Sequence, residues 1–101
     1  CGGEEFYFYF PVSKSFTAST VLSACLNSIT ELAIPHHAVN NTYHVSVSIG
    51  AVQLIPNKNI SIEQVIQQAD ERLYSVKNDS RNAFNLLELD LNNQKIPLDV
   101  S

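Results

Sequence analysis

A chain of 101 residues, 45% hydrophobic and 16% charged, carries enough apolar content for one modest core and predicts a single globular unit. Its 6 basic against 10 acidic residues leave a net charge of -4, which excludes a general surface for nucleic-acid polymers or anionic membranes, since both need a basic field. A single bound nucleotide needs only local positive charge and is compatible with this balance.

The chain opens Cys1-Gly2-Gly3-Glu4-Glu5, followed by Phe6-Tyr7-Phe8-Tyr9-Phe10. This run of β-formers, closed by Pro11, predicts a strand buried on both sides, phenylalanines on one face and tyrosines on the other. After a polar stretch from Ser13 to Ser19, Val21, Leu22, Cys25, Leu26, Ile29, Leu32 and Ala33 recur at helical spacing and Pro35 ends the pattern. Residues His36 to Tyr43 read as a polar loop. His44 to Val52 then alternates, with Val45, Val47, Ile49 and Ala51 on one face, and predicts a second strand with Gly50 where another backbone approaches. Pro56, Asn57 and Asn59 predict a turn. Ser61 and Gln64 form a capping box for a helix that turns Ile62, Val65, Ile66, Ala69, Leu73 and Val76 to the core and stops near Asn78. A last strand is expected from Phe84 through Leu87, and the tail from Leu89, with its Asn92-Asn93 turn, reads as a small hairpin or linker. Alternating strands and helices predict an α/β sandwich with helices over a sheet.

No apolar run approaches the length of a membrane span. With no secretory leader before them, Cys1 and Cys25 read as free thiols of a cytosolic protein. The glycosylation patterns at Asn40, Asn59 and Asn78 are then chance matches. His36, His37 and His44 lie in a polar region without the further ligands a metal site needs, and they receive no role.

Two segments bear on chemistry. Gly2 and Gly3 allow a tight turn that a phosphate can approach, and Glu4 and Glu5 supply hard oxygen ligands of the kind Mg²⁺ takes; a plain hairpin turn with solvated carboxylates is the competing reading. Lys77 and Arg81 stand four apart at the end of the second helix. One further helical turn would put them on one side, as a clamp for a polyphosphate, or they simply offset the helix dipole.

Gly-Gly-Glu-Glu-Phe, then Val45-Ser46-Val47-Ser48-Ile49-Gly50-Ala51, then Ala69-Asp70-Glu71-Arg72-Leu73-Tyr74-Ser75-Val76-Lys77 with Arg81-Asn82 following, in this order, resemble the GGDEF domain of diguanylate cyclases. The resemblance runs from Gly2 to about Phe84, so residues 1–88 are expected to be the carboxy-terminal part of such a domain and residues 89–101 a tail. It implies a nucleotidyl-cyclase-like palm, an α+β sandwich whose central, mostly antiparallel sheet is flanked by helices. The implied reaction joins two GTP into cyclic di-GMP with release of two pyrophosphates, using Mg²⁺ or Mn²⁺. By resemblance Glu4 binds the metal, Glu5 supports it, Gly2 and Gly3 let the backbone lie close to the nucleotide, and Lys77 and Arg81 hold the β and γ phosphates. Two domains, each with one GTP, must meet face to face, so a homodimer is implied.

The family's first strand with its metal aspartate, its guanine-binding helices and its inhibitory product site would precede Cys1, so these 101 residues are expected to be inactive alone. Cys1 stands where the family usually has an aromatic residue, and Ser80 replaces a glycine. A second expectation is a non-catalytic module that binds GTP or cyclic di-GMP and regulates an attached domain. The implied setting is the cytoplasm, including the cytoplasmic part of a membrane receptor, with a sensory domain attached and no membrane contact by this segment.

Overall fold

The structure, a computed structural model, describes residues 4–38, 41–79, 81–90, 92 and 94–96. The expected strand at Phe6–Phe10 is not one: residues 4–12 take no regular secondary structure, and Phe6 is 82% and Tyr9 75% exposed. The residues have the propensity, but a strand exists only through ladder partners, and none of the described pairings involves this segment. Phe8 and Phe10 still stack, ring centroids 5.9 Å apart, as residues two apart do on an extended chain.

Hydrogen bonds between Ser13 and Phe16 turn the chain into helix α1, Ala18–Leu32. The Thr17 hydroxyl caps it by accepting from the Thr20 N–H, and Ala33, at φ 50, ends it in the left-handed conformation. Leu22 is buried and Val21, Cys25, Leu26 and Ile29 are half-buried as the pattern predicts, whereas Leu32, expected in the core, is 63% exposed.

The polar stretch read as a loop is a β-hairpin. Strands β1, Pro35–Ala38, and β2, Asn41–His44, pair antiparallel with His36 opposite Tyr43 and His37 opposite Thr42, and Val45 N–H extends the ladder to the Ile34 carbonyl. The predicted second strand is correspondingly shorter: residues 45–48 are irregular, and β3 spans Ile49–Gln53. Hydrophobic alternation finds half-buried strands, and a hairpin whose side chains are largely polar escapes it.

After a turn in which the Asn57 carboxamide accepts from the Asn59 N–H, helix α2 runs Ile62–Asp79. The capping box is present in both directions: Ser61 N–H donates to Gln64 Oε1 at 2.8 Å and Gln64 N–H to Ser61 Oγ at 3.2 Å. The helix packs over β3 and over β4, Phe84–Glu88, which pairs parallel with β3 from Ile49 opposite Phe84 to Gln53 opposite Glu88. This is a β–α–β crossover, and α1 reaches it through β4.

The molecule is thus a small α+β fold in which the described sheets are one antiparallel and one parallel pair. Among the described residues the buried apolar side chains are Ala18, Leu22, Val76 and Leu87, of which Leu22 is fully buried. Beyond β4 the chain reverses through a turn in which the Asp90 carboxylate accepts from the N–H groups of Asn92 and Gln94, and Leu89 bridges Lys95. No helix among the described residues is long and apolar enough to cross a membrane.

Candidate functional site

The chemistry-bearing residues that the structure brings together come from the opening segment and from α2. Gly50 sets the position of that helix. A methyl group on it would overlap the Ala69 carbonyl oxygen and the backbone of Leu73, so the absence of a side chain is what lets α2 lie against β3. Asp70, Tyr74 and Lys77 follow from this seating, three to four residues apart along the helix and hence along one side of it.

The opening segment lies along that side. Lys77 Nζ stands 3.5 Å from Glu5 Oε2, and the Tyr7 hydroxyl donates to Asp70 Oδ1 at 3.2 Å. The Glu5–Lys77 pair is only partly shielded, 27% and 35% exposed, so its energetic weight is that of a surface pair, about 0–1 kcal/mol. Its consequence is positional: a carboxylate of the acidic pair and the cation at the end of α2 share one place.

The Tyr7 phenol is held above its ordinary range, first by its hydrogen bond to the Asp70 carboxylate, then by the negative charge of Asp70, with smaller contributions from burial and from Glu5. Each favours the neutral, donating form. A raised folded-state pKa means that the bond contributes at neutral pH and is lost as pH rises through the folded value, above the ordinary tyrosine range.

Arg81 is positioned differently from expectation. The helix ends at Asp79, so the further turn that would place Arg81 beside Lys77 does not form. Arg81 and Asn82 have φ 54 and φ 48, and the Arg81 N–H donates to the Val76 carbonyl at 2.9 Å, the arrangement that closes a helix C-terminus. The reason lies downstream: the Ala83 carbonyl accepts from Ile49 N–H and β4 begins at Phe84, so the chain must leave the helix and turn back beside β3 within a few residues.

Glu4 is exposed on the same segment. Gly2, Gly3, Cys1 and Ser80 lie outside the described residues. No group of three metal-ligating side chains gathers among the described residues, His36, His37 and His44 included. Adjacent carboxylates nevertheless fit the ion that the motif suggests, because Mg²⁺ commonly takes one or two carboxylates and completes its shell with phosphate oxygens and water. Cys25 is a free thiol, half-buried in α1.

Sequence reasoning missed Tyr7 and Asp70. A signal was there: Glu5 and Tyr7 are two apart, one side of an extended chain, and Asp70 and Lys77 are seven apart, one side of a helix. An open groove of about 530 Å³ continues along α2 between Glu63, Ile66, Asp70 and Tyr74. Its charged lining residues are acidic, Glu63, Asp70 and Glu71, so it does not suit a phosphate.

No curated protein and no solved structure matches the chain. A family model described as "Diguanylate cyclase, GGDEF domain" matches residues 1–83, a span that includes the acidic pair, the Gly50 strand, helix α2 and Arg81. These residues lay an acidic segment against helix α2 at Lys77, in its last turn, and with the match over most of its length the chain belongs to the GGDEF domain family of diguanylate cyclases.

Proposed function

We propose that the protein carrying this chain is a diguanylate cyclase, which condenses two GTP into cyclic di-GMP with release of two pyrophosphates. The observation that supports this reading most directly is the 3.5 Å approach of Lys77 Nζ to Glu5. It joins the acidic end of the site to a cation suited to a phosphate, and the two are 72 positions apart in the chain (77 − 5). A triphosphate entering here exchanges the Glu5 carboxylate for phosphate oxygens around the Lys77 ammonium.

Glu4, with Glu5 beside it, would hold Mg²⁺ or Mn²⁺. Such an ion, when bound, offsets the charge that accumulates on the phosphates as a ribose 3′-hydroxyl attacks the α-phosphorus. Arg81, displayed by the turn after α2, would hold the outer phosphates with Lys77, and Gly2 and Gly3 would let the nucleotide lie against the backbone. A homodimer presents two such sites to each other, so that each hydroxyl meets the other nucleotide's phosphorus. The reading places the domain in the cytoplasm, attached to a sensory domain.

Full-length protein supplied with GTP and Mg²⁺ is expected to make cyclic di-GMP, and Glu4→Gln to lower the rate by about 100-fold or more, the scale of losing a charge-stabilising group. Undiminished synthesis by the variant sinks the assignment. Nucleotide binding in calorimetry without pyrophosphate release by the wild type would instead identify a non-catalytic module that binds GTP or cyclic di-GMP.

A further inference from the structure

One contact gives a carboxylate two competing uses. Glu5 Oε2 stands 3.5 Å from Lys77 Nζ, so Glu5 pairs with the cation in the last turn of α2. The opening segment meets this side of the helix at Asp70 as well, through the Tyr7 hydroxyl, so the pair is not a stray encounter. The same Glu5 carboxylate adjoins Glu4 in the acidic pair that would hold Mg²⁺.

The two uses oppose each other. A divalent ion on Glu5 engages the charge of the carboxylate and repels an ammonium a few ångströms away, so either cation weakens the hold of the other. The backbone of Lys77 cannot follow the change, because α2 is seated on β3 at Gly50, where the Ala69 and Leu73 backbone fills the space of a side chain. The ammonium must find another acceptor nearby, and a phosphate oxygen is one.

We propose that Glu5 is a specificity-determining residue, which sets the Lys77 ammonium against polyphosphates that arrive without a divalent ion. With no ion on the acidic pair, a polyphosphate must displace the Glu5 carboxylate before it meets Lys77. With an ion there, Glu5 is engaged and the ammonium is released to the phosphates. Ion and polyphosphate then bind cooperatively, each raising the affinity of the other by the same factor. The pairing stands on the geometry, and the identification of the polyphosphate as GTP rests on the cyclase reading.

The test uses the full-length protein as wild type, Glu5→Gln, Lys77→Met and the double variant. The probe is inorganic tripolyphosphate, titrated in a calorimeter first with a chelator and then with Mg²⁺. A second titration follows Mn²⁺ alone by paramagnetic resonance.

With chelator, Glu5→Gln is expected to bind tripolyphosphate about two- to fivefold tighter than wild type, the scale of releasing a surface ion pair. The same substitution should gain less in the Lys77→Met background, where no cation is released. In Mg²⁺ the advantage of Glu5→Gln should vanish, and Mn²⁺ alone should bind more tightly to Lys77→Met than to wild type. Equal gains from Glu5→Gln in the two backgrounds mean general charge repulsion and overturn the proposal. So does a gain that persists in Mg²⁺, or an Mn²⁺ affinity that Lys77→Met leaves unchanged. Should Lys77→Met fail to fold, Lys77→Gln takes its place in the cycle. A wild type that makes no cyclic di-GMP but shows the coupling with tripolyphosphate retains the competition and loses the cyclase reading, while an active enzyme without the coupling does the reverse.

Discussion

Gly50 is the residue on which the placement of the site most depends. Backbone, not a flexible side chain, occupies the space where a methyl would go, so a substitution there cannot be absorbed by a rotamer change. Gly50→Ala is expected to cost about 3 kcal/mol, the upper range for overpacking. It should appear in urea denaturation as a lower midpoint with an unchanged slope, and a loss below about 0.5 kcal/mol would contradict the close seating of α2 on β3, since surface-like tolerance is the mark of a site with room. The glycine was legible in the sequence as a gap in an apolar strand, and the close approach it signals is present. Which backbone fills the gap, Ala69 to Leu73, was not legible, because the strand and helix meet only after folding.

At the scale of elements, local signals and local structure agree wherever the physics is local. The Ser61–Gln64 box involves atoms within three residues, and the structure forms both of its bonds. Ser61→Ala is therefore expected to destabilise the fold by about 1 kcal/mol, read as a lower thermal midpoint, with Ser61→Thr close to wild type. An equal loss in both variants would mean that the hydroxyl is not the operative group. The misses are strands. Phe6–Phe10 has strand composition without a ladder, and the β1–β2 hairpin has a ladder without strand-like alternation. Both reflect one fact: a strand's hydrogen bonds go to another segment, whereas a helix satisfies its own. Arg81 belongs here too, since the i, i+4 spacing presumes a helix that β4 forces to end earlier.

Among the described residues little core is buried for a chain of this length. Its radius of gyration is 15.3 Å, against about 13 Å for a compact chain of this size. Phe6, Phe8, Phe16 and Leu32 are each more than half exposed. Apolar surface on this scale seeks a partner. The 101 residues produced by themselves are therefore expected to self-associate at micromolar concentration and to bind a hydrophobic dye, with no cyclase activity. Light scattering behind size exclusion checks this, and a monodisperse, dye-silent monomer would contradict it.

The sequence by itself determined the family, the two helices with the Ser61–Gln64 cap of the second, the strand bearing Gly50 and the identity of the charged residues. Each is written in neighbouring residues or in an ordered set of short motifs. Only the tertiary structure decided that Glu5 sits on Lys77, that Tyr7 reaches Asp70 and that Arg81 stands outside the helix, in the turn that follows it. Those are contacts between segments, fixed by how α2 rests on Gly50 and by where β4 must begin, and no local pattern encodes them.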